Sequence, residues 1–378
     1  MAVTLPEGIA AAGLHCGIKA AKPDLAALVG ARPLAWAGCF TRNAAAAAPV
    51  RWSRRLAGRQ VRAVVVNSGN ANACTGEHGE VAVAEVARAA ADALACSPGE
   101  VLVSSTGVIG EPLPYSAIVD ALPALFAALG DDPEPFARAI MTTDTHPKLA
   151  EARAGDALLV GVAKGAAMVA PNMATMLAFV CTDAGLPQAV LDRALRRAVD
   201  LSFNRICIDA CESTNDSVYL LSTRAVAVDE GVFAQALEQL CADLAEQIVR
   251  DAEGGTRLVR LTIEGASDDD RALALARAVA ASDLWRAAIH GADPNWGRVL
   301  SALGAADRGL NLGAVELDIA GVTLFAKGEP LPARAEAAAA MAHDFDVRVR
   351  TGQGPGAVTV LMTDLSPDYV TLNAFGTT

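Results

Sequence analysis

A threonine stands where a polar turn becomes an apolar strand. In "KGAAMVAPNMATMLAFVCTDA", Lys164 to Ala184, the turn-forming pair Pro171-Asn172 is followed by Met173 and Ala174, and a β-rich run opens at Thr175. Two roles fit a threonine there: it can start the strand and cap the turn, or it can be a nucleophile. A hydroxyl needs a base beside it, and the chain offers no His and Asp at informative spacing. If the peptide bond before Thr175 is cut, its new α-amine, with an ordinary pKa of about 7.7 to 8.0, can act as base for its own hydroxyl. The abrupt start of the strand is then the start of a second chain.

Five polar turns carry further candidates: "NSGNANACTG" (67–76), "SSTGVIG" (104–110), "MTTDTHPK" (141–148), "DACESTNDS" (209–217) and "HGADPNWGR" (290–298). Each falls at the end of a predicted strand or helix, where sites are built, and together they point to one shared site. G-x-S-x-G, a Walker loop and G-x-G-x-x-G after a strand are all missing. "GQGPG" (352–356) reads as a hairpin turn. Cys207 and Cys211, in "CIDAC", could be half of a metal site, but no His or Cys cluster nearby completes it. The eight cysteines, without CxxC pairs, read as small buried hydrophobes.

These residues need a frame. A chain of 378 residues exceeds one ordinary core and calls for two domains or one large layered α/β unit. With 53% apolar but only 4% aromatic residues, Ala, Val and Leu must fill the interior. Strands are expected at 60–67, 100–105, 175–182, 217–228, 257–265, 314–325, 346–350 and 358–365. Helices are expected at 80–96, 115–129, 137–141, 187–201, 233–251 and 270–290. The Ala run "NAAAAAPV" reads as a surface helix or loop. A net charge of −12 without a basic stripe argues against nucleic acid, and the absence of a long uncharged apolar run argues against a membrane, so a soluble cytoplasmic protein is expected.

The motifs taken in order resemble the ornithine acetyltransferase, or glutamate N-acetyltransferase, family of arginine biosynthesis. The carriers are Lys164-Gly165, Met168, Ala170-Pro171-Asn172 and Met173 to Leu177, with "NSGNANACTG", "STG", "TTDT", "STNDS", "DPNWGR" and the tail "DLSPDYVTLNA". The likeness spans almost the whole chain.

The resemblance implies a precursor that cleaves itself between Ala174 and Thr175, leaving an α chain of 1–174 and a β chain of 175–378. It implies an α/β fold in a layered αββα arrangement similar to the N-terminal nucleophile hydrolases, with a smaller C-terminal α/β subdomain. Thr175 takes the acetyl group of N-acetylornithine as an ester and passes it to glutamate, without a cofactor; some family members also use acetyl-CoA, and an α2β2 assembly is expected. Thr106 and Gly107 map to the oxyanion hole, and Thr142, Lys164, Thr175, Glu253, Asn373 and Thr378 to substrate contacts. Two stretches depart from the family's pattern. Ala210-Cys211-Glu212 stands where Gly-Asp-Thr is usual, and Phe375-Gly376 where an acidic residue and an aromatic are common, so acceptor choice could differ from ornithine and glutamate if these border the pocket.

Overall fold

The computed structural model describes residues 3–170 and 176–376, so Ala174, Thr175 and Thr378 lie outside the described residues. Among the described residues, the first sheet holds β1 (Ile9–Leu14), β2 (Leu25–Phe40), β3 (Val61–Asn70), β4 (Val101–Val108), β5 (Lys148–Ala154), β6 (Ala157–Lys164) and β7 (Leu177–Ala184). The next strand, β8 (Ile206–Cys207), belongs to a second sheet, and β9 (Ser217–Val226) returns to the first. The first sheet runs β4-β3-β2-β9-β7-β6-β5, with β1 also on β2.

Strand β2 turns this one sheet into two layers. Leu25 to Val29 pair with β3, and Ala35 to Phe40 pair with β9, with a register break between Val29 and Leu34. Arg32-Pro33 falls in that break; proline cannot donate to a ladder, so the strand bends and switches layers there. The alternating side chains then face two ways. Val64 and Val66 of β3 share a core with Phe179 of β7 and Tyr219 of β9, between the layers. Val65 faces the other way, onto α2 (Gly76–Leu94) and α3 (Tyr115–Ala127), with α1 (Ala48–Arg55) at the margin. Val180 and Leu220 face α5 (Gln188–Leu201) and α6 (Glu230–Arg250), while α4 (Glu134–Ile140) adds Phe136 to the inner core. The result is an αββα sandwich, as the resemblance implies. Each buried Val or Leu stabilises it by about 1.5–3 kcal/mol relative to exposure.

The second sheet forms the C-terminal α/β subdomain. It comprises β8, β10 (Leu258–Ala266), β11 (Glu316–Ile319), β12 (Val322–Ala326), β13 (Glu329–Pro330), β14 (Phe345–Arg350) and β15 (Gly356–Thr363), in the order β13-β12-β11-β14-β10-β15-β8. Val259, Leu261 and Ile263 pack with residues of α7 (Asp269–Ala280), α8 (Asp283–His290) and α9 (Trp296–Ala306). The chain goes on through α10 (Arg334–Ala340) to α11 (Pro367–Phe375), where Ser366 caps the helix by accepting from Tyr369 N. No helix among the described residues is long and apolar enough to cross a membrane.

Several expectations need correction. The strand expected at 314–325 is a hairpin, β11 and β12, turned at Ala320-Gly321, where both residues have positive φ. The helix expected at 270–290 is two, because Ser282 caps the start of α8. "GQGPG" is not a hairpin turn: β14 and β15 lie on opposite edges of β10, so the segment crosses over that strand. The Ala run is surface only in its first part: Ala44 and Ala45 are exposed, but Ala46, Ala47, Ala48 and Val50 are buried. The cysteines are not uniformly buried either; Cys74 and Cys211 are exposed.

Candidate active site

Six of the expected residues reach one cavity of about 280 Å³ from five separate segments: Thr106 and Gly107 together, Thr142, Lys164, Glu253 and Asn373. That volume suits a ligand of amino-acid size. Thr106 and Gly107 sit at the end of β4, which the β3-α2-β4 unit lays parallel to β3, with Ala63 opposite Val101. Gly107 has φ +131°, and a Cβ there would lie 2.3 Å from the Gly69 carbonyl carbon, so only glycine lets the two strand ends approach this closely. Asn215, from the "STNDS" turn, ties this end together by donating to Ala71 O at 2.6 Å and Ser105 O at 2.8 Å.

Lys164, at the end of β6, is the only Lys or Arg among the described residues that line the cavity. Its ammonium donates to Thr142 Oγ1 at 2.8 Å and Thr106 Oγ1 at 3.3 Å. Burial pushes its pKa down from the ordinary lysine value, with Asp144 opposing. Carboxylates supply the opposite sign. Glu253, just beyond α6, accepts from Asn373 Nδ2 at 2.8 Å. Gly254, beside it, has φ +64°, and a Cβ there would lie 2.4 Å from Tyr369 N, so glycine lets the Glu253 loop touch the start of α11. Asp209 also lines the cavity; burial raises its carboxyl pKa, against N–H donors from Cys211, Met168 and Val169. One ammonium and two carboxylates in a small polar cavity can hold a ligand bearing both a carboxylate and an ammonium.

Next to the sequence junction stands a fully buried carboxylate. Asp216 Oδ1 accepts from Met176 N at 3.0 Å, and Oδ2 meets no hydrogen-bond donor among the described residues. Burial lifts Asp216 well above the usual carboxylate range, with the Met176 N–H and Lys164 acting the other way. Met176 is the residue covalently joined to Thr175, so Asp216 anchors the backbone at the point where the candidate nucleophile ends.

Four of the five polar turns contribute to this cavity, through Ala71, Thr106, Thr142 and Asp209 among others. The fifth does not. "HGADPNWGR" belongs to the subdomain, where Asn295 caps α9 and Asp293 pairs with Arg334. Both departing stretches border the cavity, through Cys211 and Gly376. Ala210 keeps φ +59°, a conformation glycine adopts more readily. Sequence reasoning missed Tyr369, which lines the cavity and donates to Asp209 Oδ2 at 3.3 Å. The signal was available, since Tyr369 and Asn373 are one helical turn apart. A larger hollow of about 380 Å³ lies beside Trp36, Cys39 and Asp200, but none of the expected residues line it.

An αββα sandwich with a charged, amino-acid-sized cavity at its strand ends defines an α/β enzyme acting on a small polar substrate. Its family is now plain: the chain belongs to the ArgJ family, whose sequence model matches residues 10–378. It is 45% identical over 384 residues to the arginine biosynthesis bifunctional protein ArgJ of Thermus thermophilus, with 100% of both chains covered. The protein of the same name from Deinococcus radiodurans is 42% identical over 383 residues, covering 100% of this chain and 98% of that one. A solved structure of ornithine acetyltransferase complexed with ornithine, from Mycobacterium tuberculosis, aligns at 37% identity and a TM-score of 0.41, covering 45% of this chain and 94% of that chain.

Proposed function

We propose that this protein transfers the acetyl group of N-acetylornithine to glutamate through an ester on Thr175, after cutting its own chain between Ala174 and Thr175. The observation that carries the reading is the convergence of Thr106, Gly107, Thr142, Lys164, Glu253 and Asn373 on one cavity, reached from separate elements. In the first half-reaction Thr175 Oγ attacks the acetyl carbonyl, and its proton passes through the freed α-amine to the departing nitrogen. The amide C–N bond breaks, ornithine leaves, and the acetyl group stays on Oγ. In the second, the glutamate amine attacks the ester and gives up a proton through the α-amine; the acyl C–Oγ bond breaks, Oγ recovers that proton, and N-acetylglutamate leaves. Thr106 and Gly107 face the developing oxyanion; one such donor is typically worth about 10² to 10³ in rate. Lys164 takes a substrate carboxylate, Glu253 with Asn373 an ammonium, and Thr142 helps orient both. Thr378 is a further substrate contact by family resemblance.

The sheet supports the idea that the fragments 1–174 and 175–378 stay together. Strand β7, from the second fragment, pairs with β6 of the first from Leu159 with Thr182 to Lys164 with Leu177, and β9 pairs with β2. Scission would thus leave two chains sharing one hydrogen-bonded sheet, which can assemble further as α2β2. Acetyl-CoA is a second donor in this proposal, and the reaction runs in the cytoplasm. A competing reading, an amidase on the same scaffold, differs in that water replaces the amine acceptor. Denaturing gel electrophoresis and an acetyl-transfer assay test the proposal. Two fragments, with glutamate accelerating ornithine release, support it. Thr175→Ala should give one uncut, inactive chain, and an uncut Thr175→Ala that still turns over N-acetylornithine contradicts it.

A further inference from the structure

The turn that brings Thr142 to the cavity also carries two charged residues that do not line it. Lys148 Nζ donates to Asp144 Oδ1 and to Asp251 Oδ2, each at 2.6 Å, and none of the three side chains is more than 3% exposed. Asp144 goes on to accept from Gly165 N at 2.7 Å and Thr142 N at 3.0 Å, holding the backbone beside Lys164 and that of Thr142 on one carboxylate. Asp251 accepts from Thr145 N at 3.0 Å and stands two residues before Glu253, whose own N–H donates to Ala166 O at 2.8 Å. Charges therefore alternate along a buried line: Asp251, Lys148, Asp144 and then Lys164.

The last link of that line is different. The ammonium of Lys164 bonds to the hydroxyls of Thr142 and Thr106, and it forms no ion pair among the described residues. Lys148 has taken that place on Asp144. A buried carboxylate stripped of its partner carries a large desolvation cost and draws on whatever cation is near. For Asp144, the charges of Lys164 and Lys148 both lower the carboxyl pKa.

We propose that Lys148 is a positioning residue: by neutralising Asp144 it leaves Lys164 free for a ligand carboxylate. This rests on the acetyl-transfer reading above. Without Lys148, Lys164 turns from the cavity toward Asp144, and recognition of a carboxylate weakens.

The test compares wild type, Lys148→Met and Lys148→Met/Asp144→Asn, using N-acetylornithine and its α-carboxamide as donors and glutamate as acceptor. Wild type should favour the carboxylate donor. In Lys148→Met the KM for that donor should rise about tenfold or more, as expected for a lost charge-assisted bond, with little change for the carboxamide. The double variant, which no longer has a charged Asp144, should regain most of the preference; this arm carries the test alone if Lys148→Met does not fold. Equal losses for both donors, or an unchanged preference, overturn the proposal. A crystal structure of Lys148→Met, or of the double variant, reads the same point without turnover. Lys164 paired with Asp144 in the single variant, or on its two hydroxyls in the double, supports the proposal, and the reverse placement overturns it. A wild type that transfers no acetyl group sinks the functional reading instead, while the crystal structure still decides the role of Lys148.

Discussion

The Asp251-Lys148-Asp144 line and the cluster around Arg350 use the same kinds of side chain in opposite surroundings. On the second sheet, Arg350 pairs with Glu316, with Asp318 at 3.1 Å and with Glu264 at 3.6 Å, and its side chain remains 37% exposed. Water solvates that cluster whether or not the pairs form, so the net gain is small. Beneath the cavity the ions are out of water, and each must find its full set of partners inside the protein. Asp144 does so with Lys148, Thr142 N and Gly165 N. The contrast teaches that charge count says little. Burial near the cavity turns ion pairs into fixed geometry, while exposure on the second sheet leaves them close to neutral for stability.

Three changes would break or sharpen that contrast. The largest effect is expected from Asp144→Ala, which takes one of the two buried carboxylates from Lys148 and removes the charge that opposes the burial cost of Lys164, and should cost about 3–5 kcal/mol in urea unfolding. A loss under 1 kcal/mol would mean that water reaches the line. Acid should act in the same direction. Burial by itself would raise the Asp144 pKa, but Lys164, Lys148 and the Gly165 N–H hold it well below the usual carboxylate range. Its contribution is therefore complete above the ordinary unfolded value of about 3.9 and is lost as pH falls through the depressed folded value. The Tm gap between wild type and Asp144→Ala should accordingly be constant near neutrality and shrink below that point. The smallest effect is expected from Arg350→Ala, about 0–1 kcal/mol and weaker still in high salt, with kcat unchanged. A salt-independent loss of several kcal/mol there would erase the distinction.

Much of this architecture can be read from the chain, and the gaps have physical causes. The β-branched runs at Val61–Val66 and Val101–Val103 announce β3 and β4 directly. Strand β2 escapes because "LAALVGARPLAWAGCF" is rich in Ala and Gly and has a proline inside, yet packing on both faces overrides its weak propensity. The hairpin of β5 and β6 is missed for a similar reason. At the site, Thr106 and Thr142 stand in polar motifs, whereas Lys164, Glu253 and Asn373 are legible only through family likeness. The bond between Lys148 and Asp251 joins residues 103 apart in sequence and leaves no local trace.

The central claim is that residue 175 carries the acetyl group, and it can be measured directly. The purified protein is mixed with N-acetylornithine, quenched in acid before glutamate is added, digested and mapped by peptide mass spectrometry. The account predicts one acetyl group on the peptide that begins with Thr175, removed when glutamate is added before the quench. An acetyl group on a different side chain, or full transfer activity from an uncut chain, would contradict it.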